Sequence, residues 1–204
     1  ASQFSNSSTY KCDISSDEEI NALFANIKKD YGVLHGLVHS VAHANTEDLA
    51  NPFVQTSRAG FAHALDVSAY SFVAVANRAR EIMTEGGGMV TLTYLGSERV
   101  LSGYNVMGVA KAALEACTRY LASDLGPQGV RVNAISSGPI KTLSAKGIKN
   151  LDKIIDTLEE KAPLRRSNTP AEVGDTAAFL LSDMSKAITG EVIYVDCGYN
   201  IMGI

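Results

Sequence analysis

The sequence predicts an α/β domain built on a parallel sheet with helices on both faces. Short apolar runs (GLVHSVA at 36–42, MVTLTY at 89–94, VRVNAI at 130–135, EVIYVD at 191–196) have the near-continuous hydrophobicity of strands buried on both sides. Between them lie longer stretches with apolar residues at helical spacing, so strand and helix alternate along the chain. No repeat, low-complexity tract or linker divides the 204 residues, so one domain is expected over 1–204.

Each element has a local reason. Thr9–Ile14 (TYKCDI) is rich in β-formers and reads as a strand ending at Asp13. Ser15 or Ser16 then caps a helix whose first turn carries Glu18 and Glu19, with Ile20, Leu23, Phe24 and Ile27 inward and Gly32 as its stop. A helical stretch containing a break is expected from Ser57 to about Met83, with Phe61, Leu65, Phe72, Val73 and Ala76 apolar. The run Gly86-Gly87-Gly88 reads as a stop before the next strand. The best helix spans 104–125, with Val106, Val109, Ala110, Ala113, Leu114, Cys117 and Leu121 on one face and Gly126-Pro127 closing it. A helix is expected around Ile148–Lys161. Another starts at Thr169-Pro170-Ala171-Glu172, with proline at its first position.

Composition narrows the function classes. Apolar residues make up 46% and charged residues 20%, ordinary for a globular domain, and a net charge of −4 argues against a nucleic-acid surface. No run approaches the ~18 consecutive apolar residues of a membrane span. The polar start has neither the basic region nor the apolar core of a secretion signal. Cys12, Cys117 and Cys197 are odd in number and scattered, which suits three buried thiols in a reducing compartment. His35, His39 and His43 are evenly spaced, but no carboxylate or HExxH pattern accompanies them, so no metal is expected.

The chemistry concentrates in TLTYLGSERVLSGYNVMGVAK, residues 91–111. Tyr94 ends a strand, and the C-terminal ends of strands are where open α/β sheets bind ligands. If Tyr104 opens the following helix, Lys111 lies two turns on, roughly 10.5 Å along the axis and on the same face. A phenol and an ammonium would then meet around one ligand, and the ammonium would favour phenolate character in the phenol.

These residues resemble the enoyl-[acyl-carrier-protein] reductases of type II fatty-acid synthesis, a branch of the short-chain dehydrogenase/reductases. The resemblance runs from Cys12-Asp13-Ile14 to Tyr199-Asn200-Ile201-Met202-Gly203-Ile204. It rests on the Tyr94…Tyr104…Lys111 spacing, on Tyr104-Asn105-Val106-Met107-Gly108, and on Arg131-Val132-Asn133-Ala134-Ile135-Ser136 running into Gly138-Pro139-Ile140. Ser68-Ala69-Tyr70-Ser71 and Val195-Asp196 fit as well. Most short-chain dehydrogenases place Lys four residues after Tyr; here no Tyr has Lys at that step, which disfavours a ketoacyl reductase.

The resemblance implies a Rossmann-like doubly wound sheet, NADH (NAD) as cofactor, an acyl-carrier protein bearing the substrate, a homotetramer, and a cytoplasmic location with a plastid left open. It implies that Tyr104 hydrogen-bonds the thioester carbonyl, that Lys111 holds the nicotinamide ribose, and that Tyr94 lines the same pocket. Asp13 and Ile14 fall near the adenine, Ser40, Val41 and Ala42 along a strand end, Ile140 at the carboxamide and Thr142 at the pyrophosphate. Ala42 stands where relatives often have glycine. Ala44 and Met107 border the substrate. Residues 141–161 cover it, with Leu143, Ile148, Leu151 and Ile154 suited to an acyl chain and Lys141, Lys146, Lys149 and Lys153 to an acidic carrier. No glycine-rich phosphate turn precedes Thr9, so the N-terminal βαβ portion of such a fold is expected to be missing from the sequence. A catalytically silent scaffold is the competing reading.

Overall fold

The computed structural model describes residues 6–140 and 151–203, with side chains from residue 154 onward in the second stretch. Four strands, β1 (Gly36–His39), β2 (Gly87–Thr93), β3 (Val130–Ser137) and β4 (Val192–Val195), form one sheet in that order. All neighbouring pairs are parallel. Helices connect them: α1 (Asp17–Tyr31), α2 (Thr46–Ala50), α3 (Arg58–Leu65), α4 (Ser71–Ala79), α5 (Val106–Leu125), α6 (Leu151–Lys161) and α7 (Pro170–Leu181). Because every strand runs the same way, His39, Thr93, Ser137 and Val195 end along one edge of the sheet.

Strand alternation sorts the core into two layers. Met89 of β2 and Val130 and Val132 of β3 pack with Phe72, Val75, Ala76 and Ala79 of α4 and Leu114 of α5. On the other face Val90 and Ile135 pack with Val173 and Leu180 of α7. Arg131 also lies on that face, where its guanidinium donates to Leu180 O at 2.6 Å and Ser182 O at 3.1 Å and so closes the end of α7. The sheet is covered on both sides, as its apolar runs require.

The expected helix signals are realised. Ser16 Oγ caps α1 by accepting from Glu19 N at 3.2 Å, and Thr169 with Glu172 forms a reciprocal capping box on α7. The break expected in 57–83 is a π-helical segment, Asp66–Tyr70, that joins α3 to α4 without ending the helix. The continuous run Arg58–Ala79, 22 residues, is long and apolar enough to cross a membrane by length and composition, yet half of its most apolar window is buried. It is a core helix.

Three expectations are corrected. Thr9–Asp13 is not a strand: among the described residues no neighbouring backbone supplies a ladder, and β-propensity alone cannot satisfy its N–H and C=O groups. It is held instead by side chains, Tyr10 donating to Asp30 at 2.5 Å and Tyr31 to Ser8 at 2.7 Å. Gly87 and Gly88 belong to β2 rather than to a stop; a Cβ on Gly87 would lie 2.1 Å from His35 O, so only glycine lets the chains approach there. β1 ends at His39, leaving Ser40–Ala42 outside the ladder. The expected helix start at Ile148 lies outside the described residues.

Phe72 is fully buried between α4 and β2. Phe72→Ala is expected to lower unfolding free energy by about 3–5 kcal/mol, read from urea denaturation.

Candidate active site

Two helix–strand junctions build the site. Tyr94 follows β2 in extended conformation, and a short 3-10 turn, Leu95–Ser97, then carries the chain away. Tyr104 does not open α5, as the spacing suggested. It sits two residues before the helix, and Asn105, with φ 42° and ψ −123°, turns the chain between them. Such backbone strain persists only where the surroundings impose it. Here the Asn105 amide donates to Leu49 O at 3.0 Å and Asn51 O at 2.8 Å, fastening the turn to the end of α2.

The turn lays Tyr104 on glycine. A Cβ on Gly96 would stand 2.3 Å from Tyr104 Cδ1, and one on Gly108 would stand 2.6 Å from Gly96 O. With both positions bare, Tyr104 is buried and its ring meets that of Tyr94 edge-on at 5.0 Å and 71°. A cleft of about 390 Å³ opens beside it, lined by Phe53, Gly96, Tyr104, Asn105, Gly108 and Val109 among others.

Lys111, on α5, is only 6% exposed and its Nζ donates to Leu92 O of β2 at 2.7 Å. Burial pulls its pKa down to about 8, and the nearby Glu115 carboxylate pushes the other way. Burial pushes the Tyr94 phenol up to about 12, with Tyr199 adding to it. The Tyr104 phenol is raised as well, chiefly by burial and then by Tyr94 and Glu115. The expected phenolate character therefore does not arise, because desolvation outweighs any help from the ammonium. Both phenols are neutral hydrogen-bond donors at pH 7.

His39 lies at the inner end of β1, stacked on Phe72 at 5.1 Å. Its Nε2 faces Ser71 Oγ at 2.8 Å and its Nδ1 faces Thr91 Oγ1 at 3.0 Å. Since the Ser71 hydroxyl donates to Val67 O at 2.7 Å, the ring donates to it through Nε2; the Thr91 hydroxyl, which also lies 3.3 Å from His39 O, is the donor within reach of Nδ1. Burial, then the Lys111 charge, pull its pKa to about 4. His35 pairs with Glu85 at 3.2 Å and His43 with His63 at 2.8 Å, so the three histidines have three separate environments. Among the described residues no group of three or more His, Cys, Asp or Glu converges on a metal position. Cys12, Cys117 and Cys197 are free but only half-buried.

The other residues singled out in the sequence fall as follows. Ser40, Val41 and Ala42 are exposed just past β1, Ala44 is half-buried, and Ile140 packs at the end of β3 against the α7-side core. Met107 is buried with its sulfur 3.7 Å from the Ser68 hydroxyl, which also donates to His43 O at 3.0 Å. Asp13 is exposed and makes a local turn, accepting from Ser15 N at 2.9 Å and Ser15 Oγ at 2.7 Å. Ile14 packs on the α1 core. Thr142, Leu143, Ile148, Lys141, Lys146 and Lys149 lie outside the described residues, as do the side chains of Leu151 and Lys153.

A dinucleotide fits these residues on two observations. Among the described residues one Lys111 N–H bond is made to protein, leaving donors for a diol. Asn168 Oδ1 is buried against Gly138, at the end of β3, with no partner. Gly96, Asn105, Asn168, His39 and the pair Thr93–Glu115 were not singled out as site residues from the sequence. The one available signal was polar residues inside apolar runs, as at His39, Thr91 and Thr93.

An open parallel sheet whose strand ends gather a half-buried tyrosine, a buried one and a buried lysine defines an oxidoreductase domain of the short-chain dehydrogenase/reductase type. The family model described as Enoyl-(Acyl carrier protein) reductase matches residues 1–200, and the chain belongs to that family. It is 57% identical over 192 residues to the NADH enoyl-[acyl-carrier-protein] reductase of Bacillus cereus, covering 94% of this chain and 75% of that protein. It is 54% identical over 191 residues to the NADPH enzyme of Staphylococcus aureus, covering 94% and 75%. A crystal structure of the Bacillus cereus reductase with NADP+ and indole naphthyridinone superposes with TM-score 0.97 at 54% identity, over 100% of this chain and 80% of that one.

The neutral His39 makes a pH prediction. Its pKa falls from 6.5 to about 4 on folding, so the unfolded chain binds more protons between those values. Stability is then full above pH 6.5 and declines as pH falls toward 4, by about 3 kcal/mol in all from this group. Urea unfolding across that window should show the decline, and His39→Gln should flatten it.

Proposed function

We propose that the protein reduces the 2,3 double bond of trans-2-enoyl-acyl-carrier-protein thioesters with NADH in fatty-acid elongation. The observation that carries this is the neutral Tyr104 phenol, seated on Gly96 beside Tyr94 and next to the helix that bears Lys111. Family membership, relatives named as enoyl-[acyl-carrier-protein] reductases and the superposition on a reductase that binds NADP+ support the reading.

Reduction of a double bond conjugated to a thioester places negative charge on the carbonyl oxygen as the transition state forms. NADH, when bound, supplies the hydride that the β-carbon receives. The protein has to hold the oxygen. Tyr104 donates its phenol proton in a hydrogen bond to that oxygen, and its rigid seat means little reorganisation is needed as charge develops. A raised phenol pKa keeps the proton on Tyr104 for this purpose. Lys111 holds the ribose hydroxyls, and Tyr94, edge-on to Tyr104, walls the pocket and keeps water away. Ser40, Val41, Ala42, Ile140 and Asn168 meet the remainder of the cofactor at the strand ends, with Asp13, Ile14 and Thr142 at its adenine and pyrophosphate. Ala44 and Met107 border the acyl group.

The segment 141–161 covers the substrate and receives the carrier protein, as one functional part of a single domain. Within it Ile154 faces a cleft of about 400 Å³ shared with Leu49, Pro52, Ser102 and Asn105, beside the Tyr104 turn. A cytoplasmic homotetramer is the assembly this reading carries.

The direct test is consumption of NADH by the purified chain with a 2-enoyl thioester, run beside NADPH. Steady turnover with NADH is expected; none with any acyl length would sink the reading. Tyr104→Phe should lower kcat by about 10²- to 10³-fold with the KM for NADH unchanged, since one donor to the developing oxyanion is lost. Gly96→Ala should produce a loss of about 10²-fold in kcat by displacing the same ring, while the thermal unfolding midpoint stays near that of the parent.

A further inference from the structure

Glu115 is a buried carboxylate with no part in the reaction described above. It lies one helical turn beyond Lys111 on α5, so both side chains project over the same strip of β2. Consecutive residues of the strand end meet them: Leu92 accepts from Lys111 Nζ at 2.7 Å, and Thr93 Oγ1 donates to Glu115 Oε1 at 2.6 Å. Lys111 is 6% exposed, Glu115 7% and Thr93 4%. An ammonium taken out of water this far is costly unless an opposite charge is close.

Among the described residues, Glu115 is the opposite charge that acts on the Lys111 ammonium. β1 presents His39, whose own charged form Lys111 opposes. The end of β2 and the turn before α5 present Tyr94 and Tyr104, both neutral. Glu98, beyond the turn, is tied to the Tyr194 hydroxyl of β4. That leaves Glu115.

We propose that Glu115 is a positioning residue that keeps Lys111 in its ammonium form, with the Thr93 hydroxyl fixing the carboxylate in place. Thr93 is the last residue of β2, so the hydrogen bond also sets the helix against the strand that carries Tyr94. The proposal rests on Lys111 as the residue that holds the cofactor ribose. With its pKa already near 8, Lys111 has little margin, and loss of the carboxylate would leave much of it neutral at pH 7.

The experiment follows the Lys111 Cε signal by NMR in the cofactor-free full chain labelled with 13C-lysine, assigned by its loss in Lys111→Met. Glu115→Gln keeps an acceptor for Thr93 but removes the charge. Its Lys111 midpoint should fall by about one pH unit, and Glu115→Asp should recover most of that fall. The alkaline limb of kcat/KM for NADH should move with it. A midpoint within about 0.2 units of wild type, when one unit is the expected effect of a close charge, overturns the proposal. Should Glu115→Gln not fold, the uniformly 13C-labelled wild-type chain decides: the Glu115 Cδ signal must move as Lys111 loses its proton, and a Cδ signal that does not respond overturns it. A shifted midpoint in a chain that turns over no enoyl thioester keeps this assignment and sinks only the reductase reading. Turnover with an unshifted midpoint does the reverse.

Discussion

The structure turns on the burial of one ammonium. Lys111 is held in the α5–β2 interface by a hydrogen bond to the Leu92 carbonyl, one residue past the end of the β1–β2 pairing. Placing that charge inside an apolar layer constrains everything near it. His39, at the end of the adjacent strand, must be neutral, and its two hydroxyl partners hold it in the tautomer that makes it so. The carboxylate within reach must be pinned, as Glu115 is by Thr93. The phenols must carry their protons. A site with one charged donor and two neutral ones at a strand edge is suited to holding a polar ligand and stabilising an oxyanion.

A second constraint is steric and lies in backbone rather than side chains. The chain leaves β2 at Tyr94, loops outward and returns at Tyr104; the returning ring finds room because position 96 lacks a Cβ, and the bare position 108 in turn makes room for the Gly96 carbonyl. The cost of the unusual Asn105 conformation, of order 1–3 kcal/mol for such backbone, is offset by its amide bridging to the carbonyls after α2. That bridge ties the turn before α5 to the segment after β1.

What could be read from the sequence follows from what is local. Helix caps at Ser16 and Thr169, the alternation of strand and helix, the parallel sheet and the faces of α4 and α5 are set by residue type and spacing within a dozen positions, and the structure agrees. The spacing also set Tyr94 beside the segment that carries Tyr104, and their rings meet at 5.0 Å. Local reasoning failed where a partner was needed. Thr9–Asp13 has the residues of a strand but no ladder to join, and the glycines at 87 and 88 look like punctuation until His35 and Gly129 are seen against them.

By itself, then, the sequence determined the fold class and most helix boundaries to within a few residues, because propensity, capping and periodicity are short-range properties; it also singled out Tyr94, Tyr104 and Lys111 as the trio to look at. Only the tertiary structure decided how that trio behaves. Phenolate or phenol, charged or neutral lysine, and the tautomer of His39 depend on desolvation, which is a property of everything packed around a group. Desolvation brought the Lys111 pKa to about 8 and raised both phenols, opposite to what an ammonium near a tyrosine suggests on paper.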